Sequence, residues 1–397
     1  MRPRFPLNPF RFTMSGERIY EGVFAVHKPQ GVTSADVIRK LQYHFNPSEL
    51  FRPWIEHEKS RRKRENNFQR KRRRNQKIEV KIGHGGTLDP LATGVLVTGV
   101  GTGTKNLNDF LACTKTYETV VLFGAETDSY DSLGKIVRRG PYEHITREAV
   151  EKALEQFRGK IMQRPPIFSA LKVQGKKLYE YAREGKEPPI EIKSRPVEVT
   201  DIQVVEWYEP GTHEYKWPEA EAAAEEKAVA EKILEKDDSL PVAPAAEEGD
   251  TSAASKRKSP PPADSPKDED TMVKKQRVSD KGGAVPAPSE QTEAPEAAGE
   301  TPAETQPGTS AQPQPLPPAV KIVMTVTSGF YVRSLAHELG KALGSCGLMS
   351  ALIRSRQADF ELDSEKILEY KDLDAGEQVW GPKVRGFLEE WEKKKSG

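Results

Sequence analysis

Apolar and polar positions alternate in a way that marks out most of this chain before any chemistry is considered. Val23, Phe24, Ala25 and Val26 form a short apolar run that reads as a strand, and Pro29-Gln30-Gly31 reads as the turn after it. Ser34 stands at the N-cap position ahead of Val37, Ile38 and Leu41, which recur at helical spacing. Residues 119–123 are a β-branched run. Residues 146–157 form an amphipathic helix with Val150, Leu154 and Phe157 on one stripe and Gly159 as its stop. A shorter helix covers 178–184, and 197–205 and 321–327 alternate as strands. A last clear helix covers 331–343 and ends at Gly344. Strands are frequent, helices are interspersed, and no βαβ period or internal repeat is visible, so the class is α+β. Only 37 residues follow Phe360, too few for a second full domain.

Composition divides the chain. Over 397 residues, 61 basic side chains nearly cancel 60 acidic ones, for a net charge of +1. Residues 211–318 hold 12 basic and 22 acidic side chains and 16 of the 31 prolines, with almost no aromatics. Such a stretch lacks the apolar surface to offset its ordering entropy and is expected to be a disordered insert, with Ser259 and Ser265, each beside a proline, as modification candidates on what is otherwise a linker. The remainder carries a net charge of +11, which suits a polyanionic partner. Residues 52–77 concentrate that charge, with 12 basic against 3 acidic side chains. They read as a second disordered insert and equally as a bipartite nuclear localisation signal, an RNA-contacting arm or a solvated charge run. Residues 1–21 are expected to be a disordered terminus. The three arginines of residues 1–14 resemble a mitochondrial presequence, but three prolines oppose a continuous amphipathic helix, and Met14 is an alternative start. Two cysteines allow no disulfide framework, and no apolar run approaches the length of a membrane span, the best uncharged candidate, 91–104, being short and full of Gly and Thr. The expected layout is therefore a folded domain in two parts, 22–210 and 319–397, separated by the acidic insert.

The densest chemical signal is GHGGTLDPLATGVL at 83–96. Four glycines, two threonines and an Asp-Pro pair make a structured loop, and a carboxylate in such a loop is placed for nucleophilic or general-base work. Asp before Pro is also a common turn device, so Asp89 carries both readings. GTGTK at 101–105 is not a phosphate loop, because Thr104 and Asn106 flank the lysine where Gly and Ser or Thr are required. His84, His144 and His337 have no metal-ligand spacing, and no metal is expected. Arg333, in SGFYVRSLAHELG, lies in the first turns of a helix among apolar neighbours. A half-buried guanidinium there needs a carboxylate partner, and Asp89 is a fitting one.

Five ordered blocks together resemble the TruB-type tRNA pseudouridine synthases. His27-Lys28-Pro29 with Gly31, Thr33 and Ser34 resembles the opening KPxGxTS motif, and 83–96 resembles the active-site loop nearly letter for letter. Lys115-Thr116-Tyr117 resembles the K-x-Y segment that follows it. Gln163, Pro165, Pro166, Ser169, Ala170, Lys172, Gly175 and Tyr179 resemble the QxPPxxSAxKxxGxxLY block, and 328–335 resembles the G-x-Y-[IV]-R-[ST]-L motif. The resemblance covers about 22–208 and 320–360. It implies a mixed, mostly antiparallel central sheet with flanking helices, and isomerisation of the T-loop uridine (position 55) of tRNA without a cofactor. By the same resemblance Asp89 is the nucleophile, Tyr117 stacks on the flipped base and is the candidate for removing the carbon-5 proton, and Arg333 pairs with Asp89. Leu352 packs beneath the base, and Lys28 and His84 lie near the RNA.

Partners implied are the T-loop and stem of tRNA, with messenger RNA as a further candidate, no metal and no membrane, and a monomer as the working form. Localisation is expected to be nuclear, with mitochondria as a second site. The short C-terminal stretch leaves no room for a complete PUA domain, which favours a stand-alone enzyme over a guide-RNA-dependent, dyskerin-like one. A tRNA-folding chaperone without catalysis is the alternative of another class, and intact Asp89, Tyr117 and Arg333 weigh against it.

Overall fold

A computed structural model describes residues 11–13, 16–166, 168–169, 171–184, 188–190, 192–224, 227 and 316–396. Its frame is one long sheet. Strands β1 (Gly22–Lys28), β2 (Thr93–Val100), β3 (Lys115–Phe123), β4 (Gly159–Gln163), β5 (Arg195–Tyr208), β6 (Ala319–Val326), β7 (Gly347–Gln357) and β8 (Leu368–Glu369) join in the order β8-β1-β2-β7-β3-β6-β5-β4. Ile82–His84 and Phe360–Glu361 add short strands to β2 and β7, giving ten among the described residues. Only the β8–β1 and β2–β7 joins are parallel. The α+β class and the mostly antiparallel sheet are as the sequence suggested.

Helices cover this sheet because their apolar stripes have nowhere else to go. They are α1 (Ser34–Phe45), α2 (Arg52–Lys63), α3 (Asn67–Arg73), α4 (Leu107–Ala112), α5 (Arg147–Leu154), α6 (Leu178–Arg183), α7 (Val332–Ala342) and α8 (Glu377–Ser396). Val150 and Leu154 of α5 and Leu335 and Leu339 of α7 pack with Val121, Phe123, Ile322 and Met324 of β3 and β6 in one core. A second core lies under α1 and α8, where the Phe45 ring stacks on Phe51 at 4.4 Å and on Trp380 at 4.9 Å.

Three boundaries differ from the sequence reading. Residues 52–77, expected as a disordered insert, contain α2 and α3. Pro53 and Trp54 are buried and Phe51 is 0% exposed, so apolar anchors within the charge run hold it to the second core. Order also starts before residue 22. Arg11–Phe12 pairs with Arg18–Ile19, and Ile19 is buried. On the far side, the acidic stretch is ordered at its start. Trp217 donates its indole N–H to the Phe123 carbonyl (2.8 Å), and Ile136 exchanges backbone hydrogen bonds with Ala220 and Ala222. Residues 228–315, including Ser259 and Ser265, lie outside the described residues. The register of β5 on β6 sets Tyr208 against Ala319, so strands on both sides of that stretch close into one antiparallel pair. Loop-closure cost grows only with the logarithm of length, which lets the pairing survive so long an interruption.

Candidate active site

Asp89 lies in the turn between Ile82–His84 and β2, and that turn is gripped from three sides. At the start of α1, the cap is Thr33 and not Ser34. The Thr33 hydroxyl accepts from the Asp36 N–H (3.1 Å), while the Asp36 carboxylate accepts from the Thr33 N–H (3.2 Å). That one-residue shift frees the buried Ser34 hydroxyl to accept from the Leu88 N–H (2.9 Å) and donate to the Leu88 carbonyl (3.1 Å).

From β1, Lys28 comes up beneath the turn. Expected near the RNA, it is instead 0% exposed. Its ammonium donates to the carbonyls of Pro29 (2.8 Å), Pro90 (3.4 Å) and Ala92 (2.5 Å). From β7, Arg354 Nε donates to Val95 O (2.7 Å) and Nη2 to Gly86 O (3.2 Å), and the Gln357 amide donates to Gly85 O (2.5 Å). A Cβ on Gly94 (φ +104°) would lie 2.3 Å from the Arg354 carbonyl oxygen, so only glycine lets β2 and β7 approach here.

Burial lowers the Lys28 ammonium to about 8, with Asp89 opposing the shift and Arg354 adding to it. The folded value lies below the unfolded one. The charged form therefore destabilises the fold by about 3 kcal/mol below pH 8, and that cost is relieved as pH rises towards 10.5. The stability of the wild type minus that of Lys28→Met is accordingly expected to climb between those two pH values in urea titrations. A flat difference across the window would mean that Lys28 titrates as a solvated amine.

Arg333 is placed by β4 as well as by its own helix. The Gln163 amide donates to Tyr331 O (3.1 Å) and accepts from Tyr331 N–H (2.7 Å), which fixes the entry to α7. From the first turn, Arg333 Nε donates to Asp89 Oδ2 (2.9 Å), Nη1 to Ser129 O (3.0 Å) and Nη2 to Phe168 O (2.8 Å). The arginine side chain is 6% exposed and the aspartate 36%, so the guanidinium lies behind a carboxylate that faces the solvent.

A second carboxylate, Asp131, lies 3.8 Å from Arg333 Nε and was not singled out from sequence. It accepts from the Ser129 hydroxyl (2.7 Å) and the Leu133 N–H (3.1 Å), and burial raises its pKa against the opposing pull of Arg333. The turn that carries it passes through Tyr130 at φ +62°, an uncommon conformation for a bulky residue. It is braced from α7. The Tyr130 ring stacks at 4.3 Å on His337, one helical turn beyond Arg333, and His337 Nδ1 lies 3.2 Å from the buried Glu126 carboxylate. The polar run Asp128-Ser129-Tyr130-Asp131 after an apolar strand was the available signal.

These elements enclose a cleft of about 680 Å³, a volume suited to a nucleotide. Asp89, Arg333 and His84 line it together with Ser34, Asp131 and Phe168, and Lys135 and Lys177 add positive charge. Burial, with Arg354 in support, lowers the His84 pKa and favours the neutral ring. Tyr117 and Leu352 are not among the lining residues. Tyr117 stands opposite Arg354 on β3, and Leu352 stands opposite Thr119 on β7. Both belong to the apolar cluster that includes Leu88, Leu91 and Ala92 under the turn. Among the described residues no cluster of acidic, histidine or cysteine side chains is arranged to hold a metal, and no helix is long and apolar enough to cross a membrane.

The chemistry available is that of a part-exposed carboxylate, Asp89, aimed by a buried arginine into a nucleotide-sized cleft with an apolar underlayer. Comparison with known proteins agrees in kind. Residues 71–220 match the model of the TruB family pseudouridylate synthase N-terminal domain. The tRNA pseudouridine synthase 4 of Schizosaccharomyces pombe is 38% identical over 89% of this chain and 83% of its own length. Its namesake in Saccharomyces cerevisiae is 32% identical over 93% of this chain and 85% of its own. The mouse pseudouridylate synthase TRUB1 is 42% identical over 48% of this chain and 51% of its own. Similarity of this extent, running through the residues that build the cleft, makes the chain a member of the TruB family of pseudouridine synthases.

Proposed function

We propose that this chain isomerises the T-loop uridine at position 55 of tRNA to pseudouridine, with Asp89 as nucleophile and no cofactor. The observation that carries the reading is the Asp89–Arg333 ion pair at the cleft, in a member of this family. A stacked uridine cannot present its glycosidic carbon to a carboxylate, so the base is flipped into the cleft. Asp89 Oδ2 is held by Arg333, and Oδ1 has no hydrogen-bond partner among the described residues. Oδ1 is thus the oxygen oriented for attack.

The reaction balances within the nucleotide. Asp89 Oδ1 bonds to C1′ as the C1′–N1 bond breaks with its electron pair going to the uracil ring, the base turns, and C5 then bonds to C1′ as the Oδ1–C1′ bond breaks and returns its pair to the carboxylate. The C5 proton is then lost and N1 gains one. Tyr117 is the proposed base for that proton, reached as the uracil settles over the apolar floor that Leu352 helps to build. His84 and the loop around it line the entry. Lys28 acts through the loop backbone, as a positioning residue rather than an RNA contact. Nuclear residence, a mitochondrial share, messenger RNA substrates and a monomeric form remain part of the proposal.

The test is site-resolved mapping of pseudouridine after incubating the protein with an unmodified tRNA transcript and with the same transcript carrying cytidine at position 55. Modification at position 55 alone, lost in the second transcript, is the expected result. Modification elsewhere, or tRNA binding with none, removes the assignment.

A further inference from the structure

We infer that α2 and α3 form a second RNA-binding surface, which takes the sugar-phosphate backbone of the substrate tRNA outside its T-arm. This inference rests on the reading of the chain as a tRNA-modifying enzyme. Sequence alone left residues 52–77 equally a transport signal, an RNA arm or a solvated charge run. Geometry separates these readings.

The pair is anchored as rigid structure. Trp54 is buried and donates its indole N–H to Glu21 (2.9 Å). Buried Glu58 accepts from Arg61 (2.6 and 2.7 Å) and Arg62 (3.2 Å), and Arg62 reaches across to the carbonyls of Gln76 (2.6 Å) and Lys77 (3.2 Å). Asn66 caps α3, and Arg73 pairs with Glu65 at 2.7 Å. A transport signal is read as an extended, accessible segment and requires none of this.

What the anchors hold out is unneutralised charge. Lys59 and Lys63, one turn apart on α2, and Lys71, Arg72 and Arg74 are exposed, and none has a carboxylate partner among the described residues. Among these cations Phe68 is 76% exposed. An apolar ring left in water beside five cations is a poor choice for a merely solvated face. It suits RNA, where phosphates take the cations and an unpaired base or ribose takes the ring.

Position sets which part of the RNA is met. The start of α1 lines the cleft, and its last residue, Phe45, stacks on Phe51 immediately before α2. The twelve residues of α1 span about 18 Å and set the Phe51 anchor, where α2 begins, at the end of the helix away from the cleft, so a tRNA seated by its T-loop would meet the basic pair with another part of its backbone.

The experiment compares the full chain with a variant carrying Lys59→Gln, Lys63→Gln, Lys71→Gln, Arg72→Gln and Arg74→Gln, and separately with Phe68→Ala. Trp54, Glu58, Arg61 and Arg62 stay in place, and unchanged thermal unfolding shows that the anchors hold. Filter binding and single-turnover kinetics are measured on full-length tRNA and on an isolated T-arm stem-loop. The fivefold variant is expected to bind full-length tRNA on the order of tenfold more weakly at physiological salt, with a shallower slope of log K against log salt. The saturating rate constant should be unchanged, as should both measurements on the stem-loop. Phe68→Ala should weaken full-length binding severalfold without altering the salt slope.

Unchanged binding and slope would overturn the inference, and loss of nuclear accumulation in that case would make the pair a transport signal. Equal losses on both RNAs would overturn it too, because the surface would then serve the T-arm. If neither RNA is isomerised by the wild type but the difference in binding persists, the isomerase reading fails while the RNA surface stands.

Discussion

In Asp89→Asn, single-turnover formation of pseudouridine is expected to fall on the order of 10⁴-fold or more, with tRNA binding within about threefold of wild type. The amide preserves the shape of the side chain and can still accept a hydrogen bond from Arg333 Nε. What it lacks is the anionic oxygen needed to attack carbon. Binding should survive because the cleft, its rim cations and its apolar underlayer are untouched. Stability should change little, since at 36% exposure the carboxylate is partly solvated and its ion pair is correspondingly weak for folding. Residual activity above about one hundredth of wild type would place the nucleophile elsewhere, because a bystander in the turn would cost less. The same variant separates the isomerase from a tRNA-folding chaperone, whose function should survive the amide.

Much of the sheet was legible because its strands obey a local rule. Val197 and Val199 face the core from β5, and Ile322, Met324 and Val326 from β6, in the spacing that alternation leads one to expect, while a bulge between Val199 and Asp201 shifts β5 so that Ile202 is the next residue inward. Thr146 caps α5 for the equally local reason that its hydroxyl reaches the Ala149 N–H (3.2 Å). The helices α2 and α3 were not legible, because twelve cations obscured the few anchors, Leu50, Phe51 and Trp54, that tie them to the core.

At the site the division is similar. Asp89 and Arg333 stand in dense motifs, and the suspicion that a half-buried arginine needs a carboxylate led to their pairing. Lys28 and Ser34 also belong to a motif, yet whether such a residue faces a ligand or the underside of a loop depends on contacts 54 to 64 positions away in the chain. Asp131 is a product of tertiary packing. It reaches Arg333 from a turn whose bracing comes from His337, more than two hundred residues later, and no local pattern records that distance.

Arg333→Lys should lower the single-turnover rate by about 10² to 10³-fold, although the positive charge is kept. The guanidinium serves three acceptors in different directions at once: Asp89, the Ser129 carbonyl and the Phe168 carbonyl. An ammonium is a point charge on a flexible stem and cannot span that fork. At 6% exposure there is little room for water to replace the lost donors. Two carbonyls would lose their partner, and the turn bearing Ser129 and Asp131 would keep only the Tyr130–His337 stack as its tie to α7. Asp89 would keep a neighbouring cation but not a fixed direction.

The defect is therefore expected in the rate constant at saturation, with tRNA affinity close to wild type, because no RNA contact is assigned to this arginine. It should also be steeper than the defect of Asp131→Asn, which removes one distant charge at 3.8 Å and leaves the fork intact. If lysine supports the full rate, charge alone suffices and the orientation given to Asp89 has no part in catalysis. A lost affinity with an unchanged rate constant would instead turn Arg333 towards the RNA. Only a drop in rate fits an arginine whose work is to aim one oxygen at the sugar.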